Sequence, residues 1–150
     1  MSRKYKFRDN EKLYFISFVP IVIGINWIDV FVRNEYKYEL LNSWKYCIEN
    51  KGLEIYSWCI MTSHVHMIIG SHQNKLEDIV RDMKSFTSTK LHKAIQEHKQ
   101  ESRREWMLWM MERAGRKNSN NADFQFWQQH NQPIELNTNE LMQQKLDLYS

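Results

Sequence analysis

The sequence predicts an α+β fold: a ferredoxin-like antiparallel sheet with helices on one face. Three observations predict it. Stretches rich in β-branched and aromatic residues alternate with stretches whose apolar residues recur at helical spacing. Their order, strand, helix, strand, strand, helix, strand, is that of a split β-α-β arrangement. With 150 residues, 42% of them hydrophobic, the chain is long enough for one core and too short for two, so residues 1–150 are read as one domain.

Leu13 to Val19 reads as the first strand, with Pro20 at an edge, bulge or end. Ile21 to Val32 is expected to continue as a second strand or hairpin arm. From Glu35 to Asn50 the period changes. Tyr36, Leu40, Leu41, Trp44, Cys47 and Ile48 recur as on one buried helix face, and Lys51-Gly52 supplies a cationic last turn and a glycine stop. Leu53 to Met61 returns to strand composition, and the short Thr62-Ser63 link makes the next strand, running to Ile69, its antiparallel partner.

Asn74 to Glu77 has the pattern of a capping box opening a helix to about His98, with an apolar face that includes Leu76, Ile79, Val80, Met83, Phe86 and Leu91. Glu101 to Ala114 predicts another helix, ending at Gly115, whose methionines and tryptophans are packing residues. Arg116 to Asn121 reads as a polar loop. Phe124 to Gln128 and Pro133 to Leu136 read as a last strand or strand pair. Asn137 to Glu140 is placed to cap a short final helix.

The formal net charge of +3 permits a nucleic-acid partner without demanding one. Its distribution is more telling: Lys75 to Lys117 holds 11 basic and 7 acidic residues, so an anionic ligand is expected to meet the middle of the chain. Two cysteines, Cys47 and Cys59, without metal-ligand or redox spacing fit a reducing cytoplasm. The basic N-terminus lacks the pattern of a signal peptide. The longest apolar run, Phe15 to Ile25, is broken by Pro20 and too short to span a membrane, so no membrane partner is expected.

The chemistry-bearing stretch is Met61-Thr62-Ser63-His64-Val65-His66-Met67-Ile68-Ile69. In a strand His64 and His66 share one face while Val65, Met67 and Ile69 line the other, so the two imidazoles are either ligands to one ion or hydrogen-bonded sheet histidines. His72, His92, His98 and His130 lack ligand spacing and are expected at the surface. On the second long helix Arg81, Lys84, Ser85, Ser88 and His92 share a face that is either solvated or a phosphate-contacting ridge.

Those residues carry a resemblance. The His-Val-His strand, Lys84-Ser85-Phe86-Thr87 in the following helix, Phe126-Trp127-Gln128 and Lys145-Leu146-Asp147 together resemble the REP-associated tyrosine transposases, single-tyrosine members of the HUH group encoded by small bacterial insertion sequences. The resemblance implies cleavage and rejoining of hairpin or single-stranded DNA, with Mg2+ or Mn2+ held by His64 and His66 and a tyrosine as nucleophile, often in a homodimer. It implies DNA contacts from Arg81, Lys84, Ser85, Ser88, Lys90, Arg116, Lys117 and an exposed Trp127. In the family pattern the tyrosine directly follows a stretch like Lys145-Leu146-Asp147, and a polar metal ligand follows one helical turn later. Here Leu148 occupies that position, Tyr149 comes one residue late, and the sequence stops at Ser150. The expectation is either a truncated or frame-shifted copy, which is the preferred reading, or a chain in which Tyr149 serves as nucleophile with an incomplete metal site; cleavage is expected to be weak or absent. Two other classes stay open: a non-catalytic single-stranded DNA-binding module, and an RNA-binding sheet, whose usual central aromatics would here be histidines.

Overall fold

The computed structural model describes residues 7, 9, 11–21, 29–117 and 123–147. Four strands, β1 (Tyr14–Phe18), β2 (Leu53–Ile60), β3 (Val65–Ser71) and β4 (Ile134–Glu135), form one sheet in the order β2-β3-β1-β4, with each neighbouring pair antiparallel. Four helices accompany them: α1 (Asn34–Lys51), α2 (Leu76–Glu97), α3 (Arg104–Lys117) and α4 (Asn139–Asp147). The ferredoxin-like α+β expectation holds, except that the helices are not confined to one face: α1 and α2 cover one side of the sheet and the short α4 docks on the other.

The alternation of β3 sets the two faces. Val65, Met67 and Ile69 are buried in the main core with Tyr14, Ile16 and Phe18 of β1 and the apolar stripes of α1 and α2. His66 and Ile68 point the other way, where Phe15, Ile68 and Leu136 form a second, smaller apolar cluster. Leu141, Met142 and Leu146 of α4 pack on that cluster, so the short last helix lies against the face that carries His66. Thr138 caps this helix, its Oγ1 accepting from the Leu141 amide at 3.1 Å.

Several local expectations change. Val30–Val32 is a 3-10 turn, because the Phe31 amide bonds the Thr62 carbonyl at 2.9 Å instead of a strand partner; the rest of the expected arm, residues 22–28, lies outside the described residues. The Asn74 capping box does not form: its side-chain amide donates to the Lys51 carbonyl at 3.1 Å, tying the start of α2 to the end of α1. Gly52 does end α1, in the left-handed region at φ 80°.

Gly115 does not end α3, which runs on through Arg116 and Lys117; the glycine serves a close approach, since a Cβ there would meet the Phe124 backbone at 2.6 Å. Among the described residues, 124–128 pair through the Pro20–Trp127 bridge, flanked by bonds from Ile21 to Phe126 and from Gln128 to Val19, both 2.8 Å. Ile48 and Phe86, placed on buried faces by spacing, are 46% and 49% exposed, as are Trp106 and Trp109 of α3 at 43% and 46%. Against expectation, His92 and His98 are half-buried, stacked on Phe124 and edge-on to Tyr36.

Glu101, on the link between α2 and α3, is a buried carboxylate. Arg33 and Arg103 both pair with it, and Tyr36 donates its hydroxyl at 3.1 Å. Arg103 also donates to the Asp29 carbonyl at 2.8 Å, so one carboxylate ties the start of α1 to the start of α3.

Candidate functional site

His64 stands just before β3, in the tight link from β2, where the Met61 amide bonds its carbonyl at 2.9 Å. The 3-10 turn braces this link through the Phe31–Thr62 bond and a Thr62 hydroxyl bond to Asp29 at 3.1 Å. His66, one strand position in, is paired across the sheet with Ser17 on β1 and Cys59 on β2. The two rings lie 4.7 Å apart between centroids, tilted 68°.

Each ring is held at Nδ1 by a serine hydroxyl: His66 by Ser17 at 2.8 Å, His64 by Ser63 at 3.0 Å. Phe15 stacks on His66 with centroids 5.3 Å apart. Burial holds the His66 pKa below the ordinary histidine value, and the neighbouring charges of His64 and Lys145 push in the same direction. The neutral imidazole is the form that ligates a metal.

This donor set fits a divalent cation. His66 on β3 and His64 in the link before it, not both on the strand as expected, are close enough to share an ion, and with Nδ1 bonded to serine the coordinating atom would be Nε2, the arrangement in which an outer partner fixes the ring orientation. Among the described residues no group of three or more His, Cys, Asp or Glu side chains has metal-site geometry. Two imidazoles therefore leave the remaining coordination positions to water, to phosphate oxygens or to ligands of other kinds. Leu148 and Tyr149 lie outside the described residues.

The phosphate-contacting candidates gather along α2. Lys84, Ser85 and Ser88 line a groove of about 350 Å³ whose opposite wall is Trp127, Gln128 and Gln129. A neighbouring groove of about 460 Å³ shares Lys84 and Gln129 and adds Arg81 and Asn131. Ser17 links this surface to the histidines: its hydroxyl bonds His66, and its amide donates to the Asn131 carbonyl at 3.0 Å.

The members of the groove differ in kind. Lys84 is half-buried, its ammonium donating to the Gln128 carbonyl at 2.6 Å, and burial lowers its pKa to about 8. Arg81 is exposed but bonded to Asp78 and Asp82 at 3.2 and 3.3 Å. Lys90 is exposed with its ammonium over the Phe86 ring, away from the groove. Arg116 and Lys117 are exposed on the last turn of α3, Arg116 beside Glu112 at 3.9 Å.

Trp127 corrects the expectation most sharply. It is 4% exposed, packed against Phe18 and Phe31, and its indole N–H donates to the buried Thr87 hydroxyl at 2.9 Å. The ring is a core residue behind the groove and offers no stacking platform. What sequence reasoning missed is the serine pair and Lys145. Ser17 had a signal: it is the one aliphatic hydroxyl in the strand Tyr-Phe-Ile-Ser-Phe, two residues from Phe15 on the same face.

Comparison with known proteins meets the same region. Among solved structures the chain is similar to a REP-associated tyrosine transposase determined bound to a REP hairpin, with a TM-score of 0.59 and 10% identity over 98% of this chain and 69% of that one. At that identity the likeness is one of fold. No curated protein matches the sequence. Among the described residues no helix is long and apolar enough to cross a membrane. Residues 21–112 match the family described as Transposase IS200 like, a span that takes in both histidines, their strand and all of α2. The chain belongs to the IS200-like transposases, a family of DNA-cleaving enzymes.

Proposed function

We propose that this chain binds hairpin or single-stranded DNA and, with Mg2+ or Mn2+ at His64 and His66, cleaves and rejoins the strand through Tyr149. The observation that carries the reading is the serine-held imidazole pair, its rings 4.7 Å apart, in a chain of this family. Tyr149 follows α4 by two residues, and α4 packs on the histidine face.

The phenolic oxygen of Tyr149 forms a bond to the scissile phosphorus as the bond from phosphorus to the 3′ oxygen breaks. The tyrosine gives up its proton and the departing 3′ oxygen takes one up, leaving a 5′-phosphotyrosine and a 3′ hydroxyl; attack by a 3′ hydroxyl reverses the step and rejoins DNA. A bound divalent ion supplies Lewis-acid polarisation of the phosphate and offsets its growing charge. Ser17 and Ser63 hold the two rings in place, and desolvation favours the neutral form of His66. Lys84, Ser85, Ser88 and Arg81 along the groove, with Lys90, Arg116 and Lys117 elsewhere on α2 and α3, contact DNA phosphates. The same reading has the protein acting in the cytoplasm, as a homodimer.

A second reading, DNA binding without cleavage, is favoured by the two-histidine set, to which no His, Cys, Asp or Glu is added among the described residues. Incubation with end-labelled hairpin DNA and Mn2+, resolved on a denaturing gel, decides between them. A covalent adduct, weak because Tyr149 stands one residue from the family's tyrosine position, that disappears in Tyr149→Phe and in His64→Ala/His66→Ala is expected. Retarded DNA on a native gel without any adduct would overturn cleavage in favour of the second reading, and no retardation would overturn both.

A further inference from the structure

Lys145 lies in an unusual place for an ammonium. On α4 the residues that dock onto the sheet are Leu141, Met142 and Leu146, and Lys145 falls within that stripe, four residues after Leu141 and three after Met142. Its stem is half-buried and its Nζ stands 5.0 Å from the centroid of Phe15, the ring that stacks on His66. One aromatic ring thus has the lysine on it and a histidine against it.

The charges around this cation do not neutralise it. Among the described residues no carboxylate comes within ion-pair distance of Lys145. Asp147, on the same helix, is exposed and accepts from Gln143 at 2.9 Å. Glu135 on β4 is in register with Tyr14, the β1 residue that faces the main core, and so lies on the opposite side of the sheet from Phe15. Among the described residues the titratable group that Lys145 acts on is His66, reached across Phe15; its imidazole brings no negative charge and, on taking a divalent ion, would become a second centre of positive charge. Like charges at this separation repel unless an anion joins them. A phosphodiester is such an anion, and an ammonium with three N–H donors is a ready partner for its oxygens.

Resting on the reading that His64 and His66 hold the ion, we propose that Lys145 is a phosphate-binding residue of the reaction: it grips the scissile phosphodiester from α4 and makes metal and DNA bind cooperatively. Without DNA its charge opposes the metal. With a phosphate in place both cations share one anion and each strengthens the binding of the other, as linkage requires.

The test is Mn2+ affinity, read from the free-ion electron paramagnetic resonance signal, with and without a short oligothymidylate. The His64→Ala/His66→Ala protein sets the background from ions held by DNA alone. In the native protein the oligonucleotide is expected to tighten Mn2+ binding by about five-fold or more, the lower end of ordinary coupling. Lys145→Gln should bind Mn2+ alone as tightly as the native protein or more tightly, and lose that coupling. Lys145→Arg should retain it, and Lys145→Met, which keeps an apolar stem for docking, should behave as Lys145→Gln. Full coupling in Lys145→Gln and Lys145→Met would overturn the proposal and leave the metal site standing. Equal Mn2+ binding by the native and histidine-free proteins would overturn the metal site and the proposal with it.

Discussion

Ser17 and His66 face each other across β1 and β3, with the serine hydroxyl 2.8 Å from Nδ1 of the imidazole. A hydrogen bond at Nδ1 fixes both the tautomer and the orientation of a ligating ring, and losing such a partner typically weakens metal binding 10- to 100-fold. Ser17→Ala should therefore bind Mn2+ about ten-fold more weakly in calorimetric titration while melting near the native temperature. Unchanged affinity would show that the serine bond does not orient the ring.

Trp127 is expected to act on stability and not on DNA. Trp127→Phe removes the indole bond to Thr87 and should cost about 1–2 kcal/mol in urea unfolding, whereas Trp127→Ala should cost about 3–5 kcal/mol. At a temperature where Trp127→Phe is folded, its affinity for single-stranded DNA should match the native protein within about two-fold. A loss approaching the roughly 1–3 kcal/mol of a stacked base would contradict the buried position.

Lys84 gives DNA binding a pH dependence. Its pKa is lowered to about 8 by burial, so the ammonium is charged below that pH and neutral above it. Affinity should fall as pH rises from 7 to 9, and in Lys84→Met it should be weaker at pH 7 and flat over this interval. For stability the sign is opposite. An unfolded lysine stays protonated to about 10.5, so unfolding between pH 8 and 10.5 takes up a proton and the fold gains from rising pH there. Fluorescence anisotropy and thermal melts across the range separate the two effects.

Glu101 supplies the acid limit. Burial alone would raise its pKa, but hydrogen bonds from the Arg103 and Arg33 side chains, then the Arg103 backbone N–H and Tyr36, outweigh this and bring it to about 2. A carboxylate depressed in the folded state contributes fully above its ordinary pKa of about 4.5, and the contribution is lost as pH falls from there toward 2. Glu101→Gln should cost about 2 kcal/mol at pH 7, less than a fully buried pair because both guanidinium groups are partly solvated. Its unfolding free energy should also change less than the native protein's between pH 5 and 3.

Strand and helix order were legible because period and composition report burial directly: β3 alternates as its residues alternate, and α1 ends where Gly52 permits a left-handed turn. The histidine pair was legible for the same reason. Partnerships made by tertiary contact were not. Asn74 has a capping pattern, yet the carbonyl it bonds belongs to Lys51, 23 residues away. Gly115 looks like a helix stop, but its need is set by Phe124 crossing above it. Trp127 looks like a surface aromatic among glutamines until Thr87 and Phe31 enclose it. Lys145 sits in a helix with polar neighbours, and only the docking of α4 on Phe15 brings it to the histidines.

Paramagnetic broadening shows whether His64 and His66 form one ion site. Substoichiometric Mn2+ added to protein labelled at histidine should first erase the ring signals of His64 and His66, whose centroids lie 4.7 Å apart. The signals of exposed His72 and His130 should persist until far higher concentrations. Broadening of all four histidines in parallel, or of His72 and His130 first, would contradict the account.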